Sequence, residues 1–200
     1  MSESLIVLAP LWLEAHALRH ARLGVPIVRT GMGPERARRA AREVAARFPR
    51  AGAIAVAGVC GALDARLAPG DVVVASELRG AGAPRPLESA KPLARALEAR
   101  GIRVHVGPVL STERLTVRAE RPVLAATGAL AVDMESAWLA PLADAHPFAV
   151  LRVVSDGPGH ELWSPRLLVN GVRALRALYQ SAPALSAWAE NLNSLVGGQP

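Results

Sequence analysis

The strongest constraint on the fold is the alternation of short runs of β-branched residues with longer stretches rich in alanine, leucine and arginine. Stretches of helical length between short apolar strands are typical of crossover helices that cover a largely buried sheet. The alternation therefore predicts an α/β fold. Seven runs predict strands, at residues 5–9, 26–30, 53–58, 71–76, 104–110, 130–133 and 148–154.

The clearest predicted helix spans residues 34–48. Gly33 precedes a proline at the first helical position, and Glu35 complements the positive end of the helix dipole. The arginines of this helix are expected to face water. Two more helices are predicted at 165–180 and 183–195, with a loop at 80–86. No linker or internal repeat interrupts the chain, so one domain is expected over residues 1–195, followed by a disordered tail at 196–200.

Charge and cysteine content exclude several classes of protein. The net charge of +6 comes almost entirely from arginines scattered among alanines, with Lys91 as the single lysine, which favours a solvated surface over a nucleic-acid site. Cys60 is the single cysteine, so no internal disulfide or paired-cysteine zinc pattern is possible and a reducing, cytoplasmic setting is predicted. No apolar stretch approaches the roughly 20 residues of a membrane span, and no export signal is recognised.

Two predicted strands run into glycines, at residues 27–33 (IVRTGMG) and 53–63 (AIAVAGVCGAL). Such turns let backbone N–H groups approach a ligand, although each segment taken alone is more readily explained as a tight turn. Neither segment completes a dinucleotide fingerprint and no Walker lysine follows, which disfavours a Rossmann-type oxidoreductase. His16 and His20 share a helical face, but without a third ligand they do not predict a zinc site. No G-x-S-x-G elbow occurs.

Three acidic residues, Glu14, Glu135 and Asp156, follow or end predicted strands. Each has an ordinary structural explanation: Glu14 could start a helix, Asp133 could be an N-cap with Glu135 in the first turn, and Asp156 could begin an Asp-Gly turn. A parallel sheet would gather such strand ends on one rim. Their coincidence therefore favours a shared site over three unrelated turns.

Four segments together resemble the nucleoside phosphorylase family, which includes purine nucleoside phosphorylases and methylthioadenosine/S-adenosylhomocysteine nucleosidases. The resemblance implies a single-domain, three-layer α/β/α fold with a central mixed sheet, and cleavage of the N-glycosidic bond of a purine nucleoside. It also implies a homodimer or larger homo-oligomer and no metal or organic cofactor. The segments are TGMG (30–33), VAGVCGALDARLAPGDVVVASEL (56–78), AVDMES (131–136) and LRVVSD (151–156).

Within this family, the segments GALDARLAPGDVVVAS and TGALAVDMES are most similar to hopanoid-associated phosphorylases. That similarity implies a role in hopanoid biosynthesis, with removal of adenine from an adenosyl-hopane precursor. Adenine is therefore the base expected from the resemblance.

The resemblance also implies roles for individual residues. Asp156 matches the acid that protonates the purine at N7, with Ser155 orienting it. Glu135 matches the carboxylate that binds the ribose hydroxyls, and Glu14 matches the nucleosidase glutamate that aligns and deprotonates the attacking water. The remaining residues expected at the substrate are Gly58, Val59, Cys60 and Gly61 in the pocket floor, Met134 beside the sugar, and Asp133 and Leu115.

The departures from the family pattern concern the acceptor and the base. Phosphorylases of the family commonly hold phosphate with an arginine and a hydroxyl residue, where this chain has Val56 and Val59. Losing a charge-assisted bidentate contact predicts weak phosphate binding unless other arginines substitute, so water is favoured as the acceptor. Leu115 stands where many relatives have an aromatic residue near the base, which leaves base selectivity open. The alternatives are phosphorolysis on the same fold and a noncatalytic nucleoside-binding protein.

Overall fold

The computed structural model describes residues 4–116, 119–158 and 167–196. Within them, eight strands alternate with six α-helices and a short 3-10 helix at Ala140–Asp144. The strands are β1 (Ile6–Ala9), β2 (Ile27–Arg29), β3 (Ile54–Ala62), β4 (Val72–Arg79), β5 (Arg85–Pro86), β6 (Val104–Ser111), β7 (Ala131–Asp133) and β8 (Phe148–Asp156). The helices are α1 (Trp12–His20), α2 (Pro34–Arg47), α3 (Ala90–Glu98), α4 (Arg121–Ala125), α5 (Ser136–Leu139) and α6 (Leu167–Val196).

The strands form one mixed sheet, part of which closes on itself. β3 is parallel to β8 and antiparallel to β7, while β8 is antiparallel to β4. β4 is parallel to β6, and β6 is parallel to β7. The five strands β3, β8, β4, β6 and β7 therefore complete a ring of backbone pairings. β1 and β2 extend the sheet from β3, and β5 extends it from β4.

Helices cover the sheet on both faces, which confirms the predicted three-layer α/β/α arrangement of the α/β class. On one face, the apolar sides of α1, α3 and α6 pack in one buried cluster with residues of β1, β3, β4 and β8. On the other face, α2, α5 and the 3-10 helix pack in a second cluster with the alternate residues of the same strands. Strands buried on both faces explain why their sequences read as continuous apolar runs.

Helix α2 confirms the sequence prediction in detail. Gly33 occupies the N-cap position with φ of +93°, a conformation that favours glycine, and Pro34 opens the helix. Its buried side chains repeat at helical spacing and meet the sheet, whereas its arginines are exposed. The buried residues are Ala37, Ala40, Ala41 and Val44.

The prediction of two separate C-terminal helices was wrong, because α6 continues through Pro183. A proline inside a helix removes one hydrogen bond and crowds the preceding turn. Apolar side chains on both sides of Pro183 are buried against the core, and this packing holds the helix together across the proline. They include Leu178, Ala182, Leu185 and Trp188. Residues 165 and 166 of the prediction lie outside the described part of the chain.

Smaller differences concern where elements end. β3 continues four residues beyond its predicted end at residue 58, and β4 continues to Arg79. The predicted loop at 80–86 ends in β5, which pairs with Glu77 and Leu78. Helix α6 ends at Val196, and residues 197–200 of the predicted tail lie outside the described chain. Among the described residues, no helix is both long and apolar enough to cross a membrane.

Candidate active site

A cavity of about 250 Å³ lies where several strands end. β1, β3 and β8 are parallel neighbours, so their carboxyl ends lie together, and β7 pairs with the last two residues of β3. Glu14, Glu135 and Asp156, all at most 4% exposed, line this cavity together. A larger cavity, of about 720 Å³, lies beside Trp138, but Glu113 is the single acid among its described lining residues.

Glu14 is fixed at the end of β3 by the start of helix α1. It is the third residue of the helix, and its Oε2 accepts a hydrogen bond from the Leu11 N–H at 2.6 Å. Its Oε1 accepts a second from the Val59 N–H at 2.7 Å. Burial raises the pKa of Glu14, while the nearby Arg152 guanidinium and these two backbone N–H groups oppose the rise. Glu14 therefore does start a helix, as its structural explanation proposed, and it also reaches the cavity.

Gly58 leaves the space that Glu14 occupies. A Cβ at this position would lie 2.6 Å from Glu14 Oε1 and 2.7 Å from Arg152 Nη1. Gly58 does not itself line the cavity, whereas its neighbours Val59, Cys60 and Gly61 do. The absence of a side chain at Gly58 thus lets a carboxylate and a guanidinium approach each other behind the cavity floor.

Arg152 is a central residue of the site that the sequence analysis missed. It lies in the middle of β8 and is fully buried. Its Nη2 lies 2.6 Å from Asp133 Oδ2 and 3.5 Å from Glu135 Oε2, and it donates to Ser136 Oγ at 2.9 Å. A signal was present in the sequence, because an arginine inside an otherwise apolar strand must find buried partners.

Glu135 and Asp133 occupy the junction between β7 and α5. Glu135 Oε1 accepts a hydrogen bond from the Gly33 N–H at 3.0 Å, which joins the AVDMES segment to the first glycine turn. Burial raises the pKa of Glu135 to about 7, against the opposing charge of Arg152. Asp133 Oδ1 accepts from Ser111 Oγ at 2.5 Å and from the Ser136 N–H at 3.3 Å. The N-cap residue of α5 is Glu135, so the assignment of Asp133 as the N-cap was wrong, although the Asp133 carboxylate does accept a bond from the first turn.

Asp156 ends β8 and is another of the acids that line the cavity. Ser155 Oγ lies 3.0 Å from Asp156 Oδ1 and 3.1 Å from the Cys60 carbonyl, so its single proton has two acceptors. Arg121 Nη2 donates to Asp156 Oδ2. Burial raises the pKa of Asp156, and the Arg121 guanidinium opposes the rise.

Arg121 is the second functional candidate that the sequence analysis missed. It is the first residue of α4, and its side chain is 8% exposed. Its Nη1 donates to the Ala62 carbonyl at 2.7 Å, which fixes the guanidinium at the end of β3. No strand, glycine turn or cap marks this position in the sequence, so nothing in the local pattern indicates it.

The other predicted substrate-binding residues also reach the cavity. Met134 and Cys60 line it, and Leu115 stands at its edge with 52% exposure. Burial raises the pKa of the Cys60 thiol, which keeps it a protonated lining group. The described residues contain no group of three or more His, Cys, Asp or Glu side chains placed to hold a metal ion. His16 and His20 do share the outer face of α1, with their ring centres 4.2 Å apart.

A mixed α/β sheet with buried acids and two arginines around an apolar cavity defines a small-molecule site of the kind found in α/β enzymes. The chain belongs to the phosphorylase superfamily, whose family model matches residues 15–169. No curated protein matches the chain significantly.

Solved structures with the same fold share little sequence with this chain. A 5'-methylthioadenosine/S-adenosylhomocysteine nucleosidase from Helicobacter pylori, in complex with butyl-thio-DADMe-Immucillin-A, superposes with a TM-score of 0.74 at 15% identity, covering 98% of this chain and 99% of its own. The futalosine hydrolase of Helicobacter pylori gives 0.73 at 16%, covering 96% and 97%. A methylthioadenosine/S-adenosylhomocysteine nucleosidase from Colwellia psychrerythraea, in complex with adenine, gives 0.75 at 19%, covering 94% and 96%. These similarities establish the fold.

Proposed function

We propose that this protein hydrolyses the N-glycosidic bond of a purine nucleoside. The observation that carries the proposal is that Glu14, Glu135 and Asp156 line one cavity although they lie far apart in the sequence. Glycosidic bond cleavage passes through an oxocarbenium-like transition state, which needs an acid for the leaving base and negative charge near the sugar. Three buried acids around one apolar cavity can divide these tasks. The nucleosidases of the same fold are consistent with this reaction.

Asp156 is the proposed general acid towards N7 of the leaving base. An acid of this kind must hold a proton near neutral pH, and burial raises the pKa of Asp156 in that direction. The hydroxyl of Ser155 contacts Oδ1 and is proposed to orient the carboxyl group.

Glu14 is the proposed base for the attacking water. Its pKa is raised by burial, which strengthens it as a base, and the adjacent Arg152 guanidinium favours its ionised form. Glu135 is proposed to bind the ribose hydroxyls and to place negative charge near the developing cation, with Met134 packed beside the sugar. Arg152 is proposed to hold the carboxylates of Asp133 and Glu135 in place.

Water is favoured over phosphate because acidic side chains outnumber basic ones around the cavity. Four acidic residues line it, and Arg121 is the single basic residue among its described lining residues. Arg121 already contacts Asp156, and the buried Arg152 behind the cavity contacts Asp133 and Glu135. Neither arginine is available for a phosphate dianion without leaving a buried carboxylate unpaired, which is costly. Val56 and Val59 supply no replacement side-chain donor.

The narrower expectations from the resemblance remain predictions. These are adenine as the base, an adenosyl-hopane precursor as the substrate, a homodimer and a cytoplasmic location. Leu115 at the cavity edge is the lining residue proposed to lie near the base.

The test is a base-release assay on adenosine, inosine, methylthioadenosine and a 5′-alkyl adenosine, each with and without phosphate. We expect free base and free sugar at a rate independent of phosphate, with products identified by mass. Ribose 1-phosphate as the product would instead establish phosphorolysis. Binding of nucleosides without release of base would favour the noncatalytic alternative.

A further inference from the structure

Arg121 is a hydrogen-bond donor near the proposed position of the base. The roles proposed above do not say how it affects the choice of substrate. Arg121 contacts Asp156, the acid proposed to meet N7 of the leaving purine. The group next to N7 on the same edge of the purine is the substituent at position 6. In hypoxanthine and guanine this substituent is a carbonyl oxygen, which accepts hydrogen bonds, whereas in adenine it is an amino group, which donates them.

Backbone features hold the Arg121 guanidinium in place. Its Nη1 donates to the Ala62 carbonyl at 2.7 Å. Both Nη atoms lie close over Gly61, where an added Cβ would lie 3.0 Å from Nη1 and 3.1 Å from Nη2. At this point β3 is paired on both sides, with β7 and β8, and its pairing with β8 shifts register between Cys60 and Gly61.

The charged side chain that contacts Asp156 offers a ligand donors and no acceptor. A guanidinium has five N–H donors and no acceptor. Asp156 Oδ2 accepts from Arg121, and Asp156 Oδ1 lies within hydrogen-bond distance of Ser155 Oγ, so part of the acceptor capacity of the carboxyl group is used within the protein. An adenine amino group that faces the Arg121 guanidinium would meet donors with its own donor, at a desolvated site where an unmatched polar group is costly.

Resting on the proposed function, we infer that Arg121 selects 6-oxopurine nucleosides over 6-aminopurine nucleosides by donating to O6 beside N7. Arginine facing the O6 and N7 acceptors of a purine is the commonest base-specific contact known in nucleic-acid recognition, and the same donor–acceptor match applies to a free nucleoside. This inference departs from the adenine expected from the resemblance. Because the guanidinium has five N–H donors, Arg121 can donate to O6 while it keeps its contacts with Asp156 and the Ala62 carbonyl.

The test compares nucleosides that differ only at position 6, namely adenosine with inosine and methylthioadenosine with methylthioinosine. Wild-type enzyme is expected to prefer the 6-oxo member of each pair by about tenfold or more in kcat/KM, the discrimination typical of a matched arginine contact. Arg121→Gln is expected to lose most of this preference, because an amide offers the donor and acceptor that adenine requires. Arg121→Lys keeps the charge without the planar fork and is expected to lose part of it.

Surface substitution Arg66→Gln is the matched control, since Arg66 is 84% exposed and pairs with Asp64 outside the cavity. It is expected to keep the wild-type ratio. Thermal unfolding of each variant separates a change of preference from a loss of structure, and Arg121→Lys carries the test if Arg121→Gln does not fold.

The binding of free hypoxanthine and free adenine, measured by calorimetry, tests the base selectivity separately from the proposed hydrolysis. Cleavage that favours adenine nucleosides, or a ratio unchanged in both Arg121 variants, would overturn the inference and leave the function standing. Tighter binding of hypoxanthine that depends on Arg121, without cleavage of any nucleoside, would overturn the function and support the base selectivity. Failure of both bases to bind, without cleavage, would overturn both.

Discussion

At the scale of single residues, Asp156 is held between two opposing influences. Burial raises its pKa, while the Arg121 guanidinium favours its ionised form. Asp156 and Arg121 both line a mostly apolar cavity, where a bound ligand can change the protonation of Asp156. The protonation of Asp156 thus depends on what contacts Arg121.

Replacing the proposed acid is expected to remove most of the activity. Asp156→Asn keeps the size of the side chain but cannot transfer a proton, and we predict a fall in kcat of about 10²- to 10⁴-fold, the range for loss of general acid catalysis. Steady-state kinetics and circular dichroism would measure activity and folding together. Asp64→Asn, which changes an acid outside the cavity, is the matched control. Near-normal turnover of Asp156→Asn would remove Asp156 from the mechanism.

Glu135 is expected to make stability depend on pH. Burial raises its pKa from the ordinary value of 4.5 to about 7. Between these values the unfolded chain loses its proton first, so the contribution of Glu135 to stability falls as pH rises from 4.5 to about 7 and stays low above it. Glu135→Gln does not titrate. The stability of Glu135→Gln, measured as its free energy of unfolding minus that of wild type, is therefore expected to increase through this window and then to level off.

Urea unfolding of both proteins from pH 4.5 to 8 measures this difference. The exposed Glu43→Gln substitution on α2 provides the comparison for a change outside the site. A difference between Glu135→Gln and wild type that does not change with pH would contradict the assignment.

The sequence identified the site acids but not the site arginines, for a physical reason. Glu14, Glu135 and Asp156 lie at or near the ends of secondary-structure elements. The end of the apolar run that forms a strand can be recognised in the sequence. Arg121 is positioned by contacts with Ala62 and Asp156, which are distant in the sequence, so no local pattern reports it. Arg152 could have been recognised from the sequence, because it is a charged residue within an otherwise apolar strand.

At the scale of elements, β3 works as a support for the site as well as a strand of the sheet. Val59 donates to Glu14, Gly61 leaves space for Arg121, and the Ala62 carbonyl accepts from it. The prediction ended this strand at residue 58 because the glycines beyond it favoured a turn. Those glycines are instead extended residues that make room for side chains from other elements.

Gly58→Ala is expected to reduce both activity and stability. The added Cβ would lie within 2.7 Å of Glu14 Oε1 and Arg152 Nη1, and such overpacking costs about 1–3 kcal/mol. Gly171→Ala in α6 is the matched control, because its Cβ would meet no atom within 4 Å. It is expected to gain about 0.5–1 kcal/mol through helix propensity. Denaturant unfolding and kcat/KM measure both, and full activity in Gly58→Ala would show that Glu14 and Arg152 tolerate displacement.

Helix α6 continues through Pro183, where the sequence predicted the end of one helix and the start of another. A proline is a reliable local signal for a helix end, and the prediction divided the segment at Pro183. Burial of Ala182 and Leu185 on either side is a property of the assembled core, which outweighs the lost hydrogen bond.

At the scale of the whole molecule, local patterns in the sequence predicted the α/β class and most strand positions, and the family resemblance implied the three layers and the mixed sheet. The ring of pairings through β3, β8, β4, β6 and β7 could not be predicted in this way. It depends on which strands meet in space, and β8 alone pairs with both β3 and β4. The short β7 joins the ring at Gly61 and Ala62, which explains how Glu135 reaches the same cavity as Glu14.

Ring closure by β8 also constrains when the protein can become active during its synthesis. The partners Ile54 and Phe148 are separated by nearly half of the chain, and pairings this distant in sequence form slowly. A nascent chain that lacks β8 lacks Arg152 and Asp156 together with the strand that joins β3 to β4. The ribosome must therefore synthesise the chain through Asp156, the end of β8, before the complete cavity can form, so function is acquired late in folding rather than by degrees.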